Sequence, residues 1–169
     1  MDIREVLWGG DLRSIGRVDE VVEFVGDDPG RFSELMTGLT DAHPVVRMRS
    51  ADAVEKVTRH HPKLLQAHQA SLFEQLHRAT QHEVRWHLAQ LMPRMRWTEE
   101  EAAEIVHVLI GWIDTETSNI VIVNSLQALF DLSMFHPCFR EEVVALLEAN
   151  LESGSPAVKS RCKKCLRNV

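Results

Sequence analysis

Apolar residues recur at helical spacing in four segments of the chain that align with one another without gaps. These segments begin at Val46, Val84, Val121 and Val158, so the pattern repeats after 38, 37 and 37 residues. In each segment, apolar or small residues occupy the first, eighth, ninth and twelfth positions. Offsets of seven, eight and eleven residues follow the period of an α-helix and contradict the alternation of a strand. The pattern therefore predicts one amphipathic helix that occurs four times.

A second set of helices is predicted before each of these segments, from start signals in the sequence. Asp28-Pro29 places proline at the first helical position, where the missing N–H costs nothing. His61-Pro62 and His136-Pro137 follow the same pattern, and Thr98 with Glu101 forms a capping box. Pro93 is expected to kink its helix. The predicted first helices are 29–39, 61–79, 98–114 and 137–152, and the second helices are 44–60, 83–96, 118–135 and 156–169.

The helical pairs predict an all-α fold with a single domain over 1–169. Repeats are expected at about 29–60, 61–96, 97–135 and 136–169, and residues 1–28 are expected to form an N-terminal cap with a helical segment from Asp11 to Val25. A helical pair cannot bury its apolar face alone, so such pairs stack into a solenoid with a continuous core.

The stretch from Asp41 to Val54, DAHPVVRMRSADAV, resembles the signature of HEAT repeats, in which an Asp/Pro turn precedes a Val-Arg helix. The resemblance recurs in weaker form at Val84-Arg85 and Val158-Lys159, and it covers about residues 29–169. The chain also resembles the armadillo-like α-solenoids, which are built in a similar way. This resemblance implies a right-handed α-α superhelix. It also implies a macromolecular partner on the concave face, which the second helix of each pair lines.

The second helices carry an aligned row of polar residues on the side opposite the apolar stripe. Positions three, six and ten residues after the start of each segment are polar in all four segments. Ordinary solvation of an amphipathic helix explains such a row, and a recognition face is the alternative. The candidate binding residues are Arg47, Arg49, Lys56, Arg85, His87, Gln90, Arg94, Asn124, Gln127, Arg161 and Lys164.

The distribution of charge changes what the net charge of −6 implies. The second helices together carry +8, whereas the first helices carry −7 and residues 1–28 carry −5. A basic helical layer could steer an anionic partner such as an acidic peptide, a phosphoprotein or a nucleic-acid backbone. Basic residues that complement the helix dipole are the simpler explanation.

The candidate reactive groups favour structural roles. Cys162 and Cys165 form a C-x-x-C motif without a second pair of ligands or a βαβ pattern, so they are interpreted as small buried residues. The nine histidines show no H-E-x-x-H spacing, and most fall at helix ends or turns. No Gly-rich phosphate loop or nucleophile elbow occurs. The sequence thus predicts a non-enzymatic protein with no cofactor and no metal site.

Two tryptophans on or after the second helices suggest a different partner. Trp86 lies between Arg85 and His87, and Trp97 follows Arg96. Aromatic residues among basic ones suit nucleic-acid contact, and one class of bacterial DNA glycosylases is built from HEAT-like repeats. Alignment of Trp86 with apolar residues of other segments favours packing instead. Trp112 is predicted to belong to the core.

No segment of the chain predicts export or membrane insertion. The N-terminal residues lack an apolar signal region, and the most apolar windows are too short to span a bilayer. Three cysteines without a signal peptide fit reduced thiols, so a cytoplasmic location is expected.

The leading hypothesis is a protein-interaction or scaffold module that binds its partner along the second helices. The alternative is nucleic-acid backbone binding through the basic layer, with a role in DNA repair as in the HEAT-like glycosylases. A third class, similar to the HEAT-like bilin lyases, has no distinguishing residue here. The oligomeric state is not predicted.

Overall fold

Helices form all the regular structure in the part of the chain that the structure describes. The computed structural model describes residues 1–168, and no strand occurs among them. Ten α-helices lie in this range: α1 (Ile3–Leu7), α2 (Val18–Val25), α3 (Pro29–Thr37), α4 (Pro44–His60), α5 (Gln69–Arg78), α6 (His82–Leu91), α7 (Glu99–Thr115), α8 (Asn119–Phe135), α9 (Arg140–Ser153) and α10 (Pro156–Leu166). The prediction of an all-α fold is confirmed.

The predicted second helices correspond to α4, α6, α8 and α10. Helix α4 has the predicted bounds, and α8 begins one residue later than predicted. The apolar positions that define the repeat are buried in the first three segments. In the fourth segment Val158 and Cys165 are buried and Leu166 is half-buried, while Val169 lies outside the described residues. The spacing of the apolar residues therefore identified the core-facing side of each helix.

Two of the predicted helix starts form as expected. The Asp28 side chain accepts a hydrogen bond from the Arg31 amide at 2.9 Å, with Pro29 at the first helical position of α3. At α7, the Thr98 hydroxyl accepts from the Glu101 amide at 3.2 Å, and the Glu101 carboxylate accepts from the Thr98 amide at 3.0 Å. This reciprocal pair satisfies two amides that have no partner within the helix.

Near three prolines the chain forms 3₁₀ segments, which the apolar periodicity does not predict. Pro62 and Pro137 begin 3₁₀ segments, Pro62–His68 and Pro137–Phe139, before α5 and α9 start. The kink expected at Pro93 is wrong in form, because α6 ends at Leu91 and a 3₁₀ turn, Met92–Arg94, follows it. Proline removes a backbone donor and clashes with the preceding turn, so the chain tightens and leaves the helix. A further 3₁₀ turn, Gly38–Thr40, follows α3.

The helical segment expected from Asp11 to Val25 is shorter than predicted. Only α2 is helical there, and the short helix α1 precedes it. Gly9, Gly10 and Gly16 have φ angles of 90°, 76° and 58°, which interrupt the right-handed helix. Such angles favour glycine because a side chain would clash with the backbone. Residues between α1 and α2 therefore form a loop.

The described chain divides into two compact units, Met1–Leu88 and the residues from Ala89 onward. In the first unit, α4 packs against α1, α2 and α3. In the second unit, α8 packs against α7, α9, α10 and the Met92–Arg94 turn. Each unit has its own buried apolar side chains, with Phe32 and Leu35 in the first and Ile105 and Leu109 in the second. One continuous array over 1–169 remains a prediction.

Candidate binding groove

Four of the predicted binding residues line one groove in the second unit. Gln90 lies on α6, Arg94 on the 3₁₀ turn that follows it, and Asn124 and Gln127 on α8. The groove has a volume of about 510 Å³. It lies where the turn before α7 packs against α8. Helical spacing places Asn124 and Gln127, three residues apart, next to each other on one face.

The floor and one end of this groove are apolar. Ala89, Pro93 and Ala128 lie among the polar residues. At the end of α8, Met134 and Phe135 are about half exposed, at 49% and 52%. The Arg96 guanidinium lies 4.2 Å from the centre of the Phe135 ring, a distance typical of a cation–π contact. Large apolar side chains at the edge of a polar groove are typical of interaction sites.

A chain of hydrogen bonds crosses the wall of the groove. Arg161 Nη1 donates to Gln127 Oε1 at 2.7 Å, and Gln127 Nε2 donates to Asp131 Oδ1 at 2.8 Å. Burial raises the pKa of Asp131, and this effect outweighs the Gln127 hydrogen bond and the Arg161 charge, which lower it. The network fixes the amide orientation of Gln127, so its side chain is held in place before any ligand arrives.

The repeat has a constant register between successive second helices within each unit. In the second unit, Gln127 lies six residues after the start of its segment, and it bonds to Arg161, which lies three residues after the start of the next segment. Gln90 and Asn124 occupy the same two positions one repeat earlier, and both line the groove. Asp52 and His87 have the same relation in the first unit. Polar residues at these two offsets are therefore bonded in one case, within 4.8 Å in another, and on one shared cavity in the third.

Arg49 does not lie on an exposed binding face, contrary to the sequence prediction. It is 3% exposed. Its Nη1 donates to the carbonyls of Leu7 at 2.9 Å and Gly9 at 2.6 Å, and its Nε donates to the Ser14 carbonyl at 3.1 Å. A Cβ atom on Gly16 would lie 2.7 Å from the Arg49 Cζ. The loop between α1 and α2 therefore covers Arg49, which holds this loop in place.

Other predicted binding residues in the first unit also bond within the chain. Arg47 donates to the Asp41 and Ala42 carbonyls and to Gln81 Oε1, which links the turn before α4 to the turn before α6. Lys56 Nζ lies 2.8 Å from Asp19 Oδ1. Arg85 donates to the Ala79 carbonyl at 2.7 Å. In the second unit, Lys164 is exposed on α10.

His87 is also buried rather than exposed, and it meets two carboxylates that sequence reasoning missed. One ligand atom from each of Asp52, Glu55 and His87 lies within 4.8 Å of the others. His87 is 8% exposed, and burial lowers its pKa to about 4. Asp52 and Glu55 are three residues apart on α4, whereas His87 lies one repeat later. The register described above is the signal that would have brought them together.

The cysteines and tryptophans lie where packing predicts. Cys162 and Cys165 are buried, as predicted, and burial raises the pKa of Cys165 to about 11, so its thiol is protonated near neutral pH. Trp112 is buried in α7, also as predicted. Trp97 is 7% exposed and its indole donates to the Met92 carbonyl at 2.7 Å, so it is unavailable for stacking on a base. Trp86 is half-buried.

Comparison of the chain with protein-family models, curated proteins and solved structures gave no match. Among the described residues, no helix has both the length and the apolar character needed to cross a membrane.

Proposed function

We propose that the chain is a HEAT-like α-solenoid that acts as a non-enzymatic interaction module. It binds a protein partner along its second helices, with the groove between the Met92–Arg94 turn and α8 as the main contact. The observation that carries this proposal is the convergence of Gln90, Arg94, Asn124 and Gln127 on one cavity of about 510 Å³. The repeat period and the constant register of polar pairs support the solenoid arrangement.

The groove suits an extended protein segment with both acidic and apolar side chains. The Asn124 amide donates to the Ile120 carbonyl, and the Gln127 amide bonds to Arg161 and Asp131. Each amide has more donor and acceptor sites than these bonds use, so each can also bond to a peptide backbone. Arg94 offers a guanidinium, which binds carboxylates in a bidentate manner. Met134 and Phe135 provide an exposed apolar contact beside these groups. A partner would bury this apolar surface while it lies against the polar side chains of the groove.

Two observations favour a protein partner over a nucleic-acid backbone. The groove holds the Asp131 carboxylate as well as the Arg94 guanidinium. A continuous run of phosphates is repelled there more than a peptide with a single acidic side chain, which can lie against Arg94. Several basic residues of the second helices are already bonded within the chain. Arg49 binds three carbonyls, Arg59 binds Glu55 and Arg161 binds Gln127. The charge of +8 on these helices therefore overstates the field available to an external polyanion.

Affinity capture from the native host with groove variants tests this proposal. Arg94→Glu reverses a charge in the groove, and Met134→Ser removes apolar contact from its exposed edge. Lys163→Glu on α10 is the matched control, because Lys163 is exposed and does not line the groove. We expect both groove variants to lose the captured protein, while the control retains it and all three keep the helical circular dichroism of the wild type.

Loss in the Lys163→Glu variant alone would place the binding surface on α10 and contradict the groove assignment. Retardation of duplex or single-stranded nucleic acid at low salt, with steep loss as salt rises, would favour the nucleic-acid alternative instead.

A further inference from the structure

The cluster of Asp52, Glu55 and His87 in the first unit has the composition of a metal site. Asp52 and Glu55 project from the same side of α4, and His87 approaches from α6. Together they offer one imidazole nitrogen and two carboxylate oxygens within 4.8 Å of one another. A small movement of these side chains would bring the atoms to the spacing that ligand distances of about 2.0–2.2 Å require.

Two buried polar atoms of this cluster have no hydrogen-bond partner. His87 Nδ1 is one of them, on a side chain that is more than nine-tenths buried. Asp52 Oδ2 is the other, and it lies 3.2 Å from Lys56 Nζ in an ion pair. A buried donor or acceptor without a partner destabilises the folded state. A metal ion bound between the Asp52 and His87 side chains would give these buried polar groups a partner.

The imidazole of His87 is in the form that a metal ion needs. Its pKa is lowered to about 4, chiefly by burial; the charges of Asp52 and Glu55 raise the pKa, and those of Arg59 and Lys56 lower it. The ring is therefore neutral near pH 7, with a lone pair available for coordination.

A cavity gives an ion a route to the cluster. Its volume is about 310 Å³, and both Asp52 and His87 line it, together with Ser14 and Trp86. The cavity lies beneath the loop between α1 and α2, which Arg49 holds in place. A hydrated cation could enter here and keep a water molecule as a further ligand.

In the structure, Lys56 and Arg59 form ion pairs with the carboxylates of the cluster. Arg59 donates to both oxygens of Glu55, at 2.9 and 2.5 Å, and Lys56 lies between Asp19 and Asp52. The Arg59 side chain is 55% exposed near the end of α4, so it can turn toward solvent when another cation replaces it beside the buried Glu55 carboxylate. A divalent ion would take over its role toward Glu55.

We propose that Asp52, Glu55 and His87 bind a divalent transition-metal cation, with Zn²⁺ the best match. Zn²⁺ accepts histidine nitrogen and carboxylate oxygen, and three protein ligands with one water complete its tetrahedral shell. Mg²⁺ and Ca²⁺ prefer oxygen ligands alone, so the imidazole disfavours them.

Isothermal titration of the full chain with Zn²⁺ tests the proposal. Asp52→Asn and His87→Gln each remove one ligand, and we expect each to weaken binding at least about tenfold. His60→Gln is the control, because His60 is exposed on the same helix outside the cluster. We expect it to bind Zn²⁺ as the wild type does, and we expect Mg²⁺ to give no comparable signal.

Arg59→Gln changes the affinity in the opposite direction. Loss of the competing guanidinium should tighten Zn²⁺ binding, and added Zn²⁺ should restore the melting temperature that this variant loses. Asp52→Asn keeps the test valid if His87→Gln does not fold, because Asp52 is only half-buried. No binding by the wild type, or equal binding by Asp52→Asn and the wild type, would overturn the proposal.

Discussion

Buried Arg49 fixes the conformation of a glycine-containing loop through three hydrogen bonds to main-chain carbonyls. Leu7, Gly9 and Ser14 supply these acceptors from both sides of the loop. The positive φ of Gly16 and its close approach to the guanidinium belong to the same arrangement. A charged side chain buried without a carboxylate is costly unless its donors are satisfied. The loop and the arginine therefore depend on each other.

Replacement of Arg49 by alanine should destabilise the protein strongly. Hydrogen bonds to a charged group contribute about 1.5–3 kcal/mol each, and their losses are not additive, so we expect a loss of about 3 kcal/mol. Urea denaturation measures this change. Arg78→Ala is the control, since its ion pair with Glu74 is exposed and contributes at most about 1 kcal/mol. Equal effects of the two substitutions would contradict the structural role of Arg49.

His87 should make stability depend on pH. Its pKa is about 4 in the folded protein and about 6.5 when unfolded. The unfolded state thus binds more protons between these values, so the free energy of unfolding falls as the pH decreases from about 6.5 to about 4. At pH 4.5 the loss from this group is about 2 kcal/mol relative to pH 7.

Urea denaturation at both pH values, with a chelator present, compares the wild type with His87→Gln. We expect the variant to lose about 2 kcal/mol less on acidification. Asp52 and Glu55 favour the protonated ring while Lys56 and Arg59 oppose it. An identical loss in both proteins would show that His87 is protonated in the folded state.

Sequence reasoning predicted the polar character of these residues but not their burial. Arg49 and His87 occupy the same position in successive segments as Asn124, which lines the groove. What covers Arg49 is the loop after α1, and what buries His87 beside Asp52 is the neighbouring repeat. The period of a single helix does not show which other segment packs over a residue. The pattern alone therefore predicts that Arg49, His87 and Asn124 all lie on an exposed face.

At the scale of single elements, some helices begin with a side-chain hydrogen bond to their first turn and others begin without one. Thr98 forms a reciprocal capping box at α7, whereas Ser118 precedes α8 without a side-chain hydrogen bond to it. Capping residues were visible in the sequence because the donor and acceptor lie three residues apart. The 3₁₀ segments after Pro62 and Pro137 were not visible, since apolar spacing over a few residues does not distinguish the two helix types.

Thr98→Ala should therefore cost about 1 kcal/mol of stability, and Ser118→Ala should cost much less. Thermal unfolding of the two variants beside the wild type measures the difference. The two helices have the same length, 17 residues, so the comparison is matched. An equal loss in both variants would mean that the hydroxyl of Thr98 contributes nothing specific as a cap.

At the scale of the whole molecule, charge has less influence than the sequence suggests. The second helices are basic in composition, but Arg49, Lys56, Arg59 and Arg161 bond to groups of the chain itself. The groove in the second unit is a mixed surface, with Arg94 and Asp131 close to exposed Met134 and Phe135. Mixed polar and apolar surfaces are typical of protein interfaces.

Much of this groove was predictable. Gln90, Arg94, Asn124 and Gln127 were identified from their offsets on the second helices, and the structure brings them to one cavity. The apolar floor and Asp131 were not identified as part of the site. Their contribution depends on the turn at Pro93, which ends α6 and opens the space beside α8.

Selection from a random peptide library tests the central claim, that the groove binds a protein segment, most directly. The full chain serves as bait, and the Arg94→Glu variant removes peptides that bind elsewhere. The account predicts enriched peptides with an acidic residue beside a large apolar one, and their affinity should fall in both Arg94→Glu and Met134→Ser. Enriched peptides that bind the wild type and both groove variants equally would contradict it.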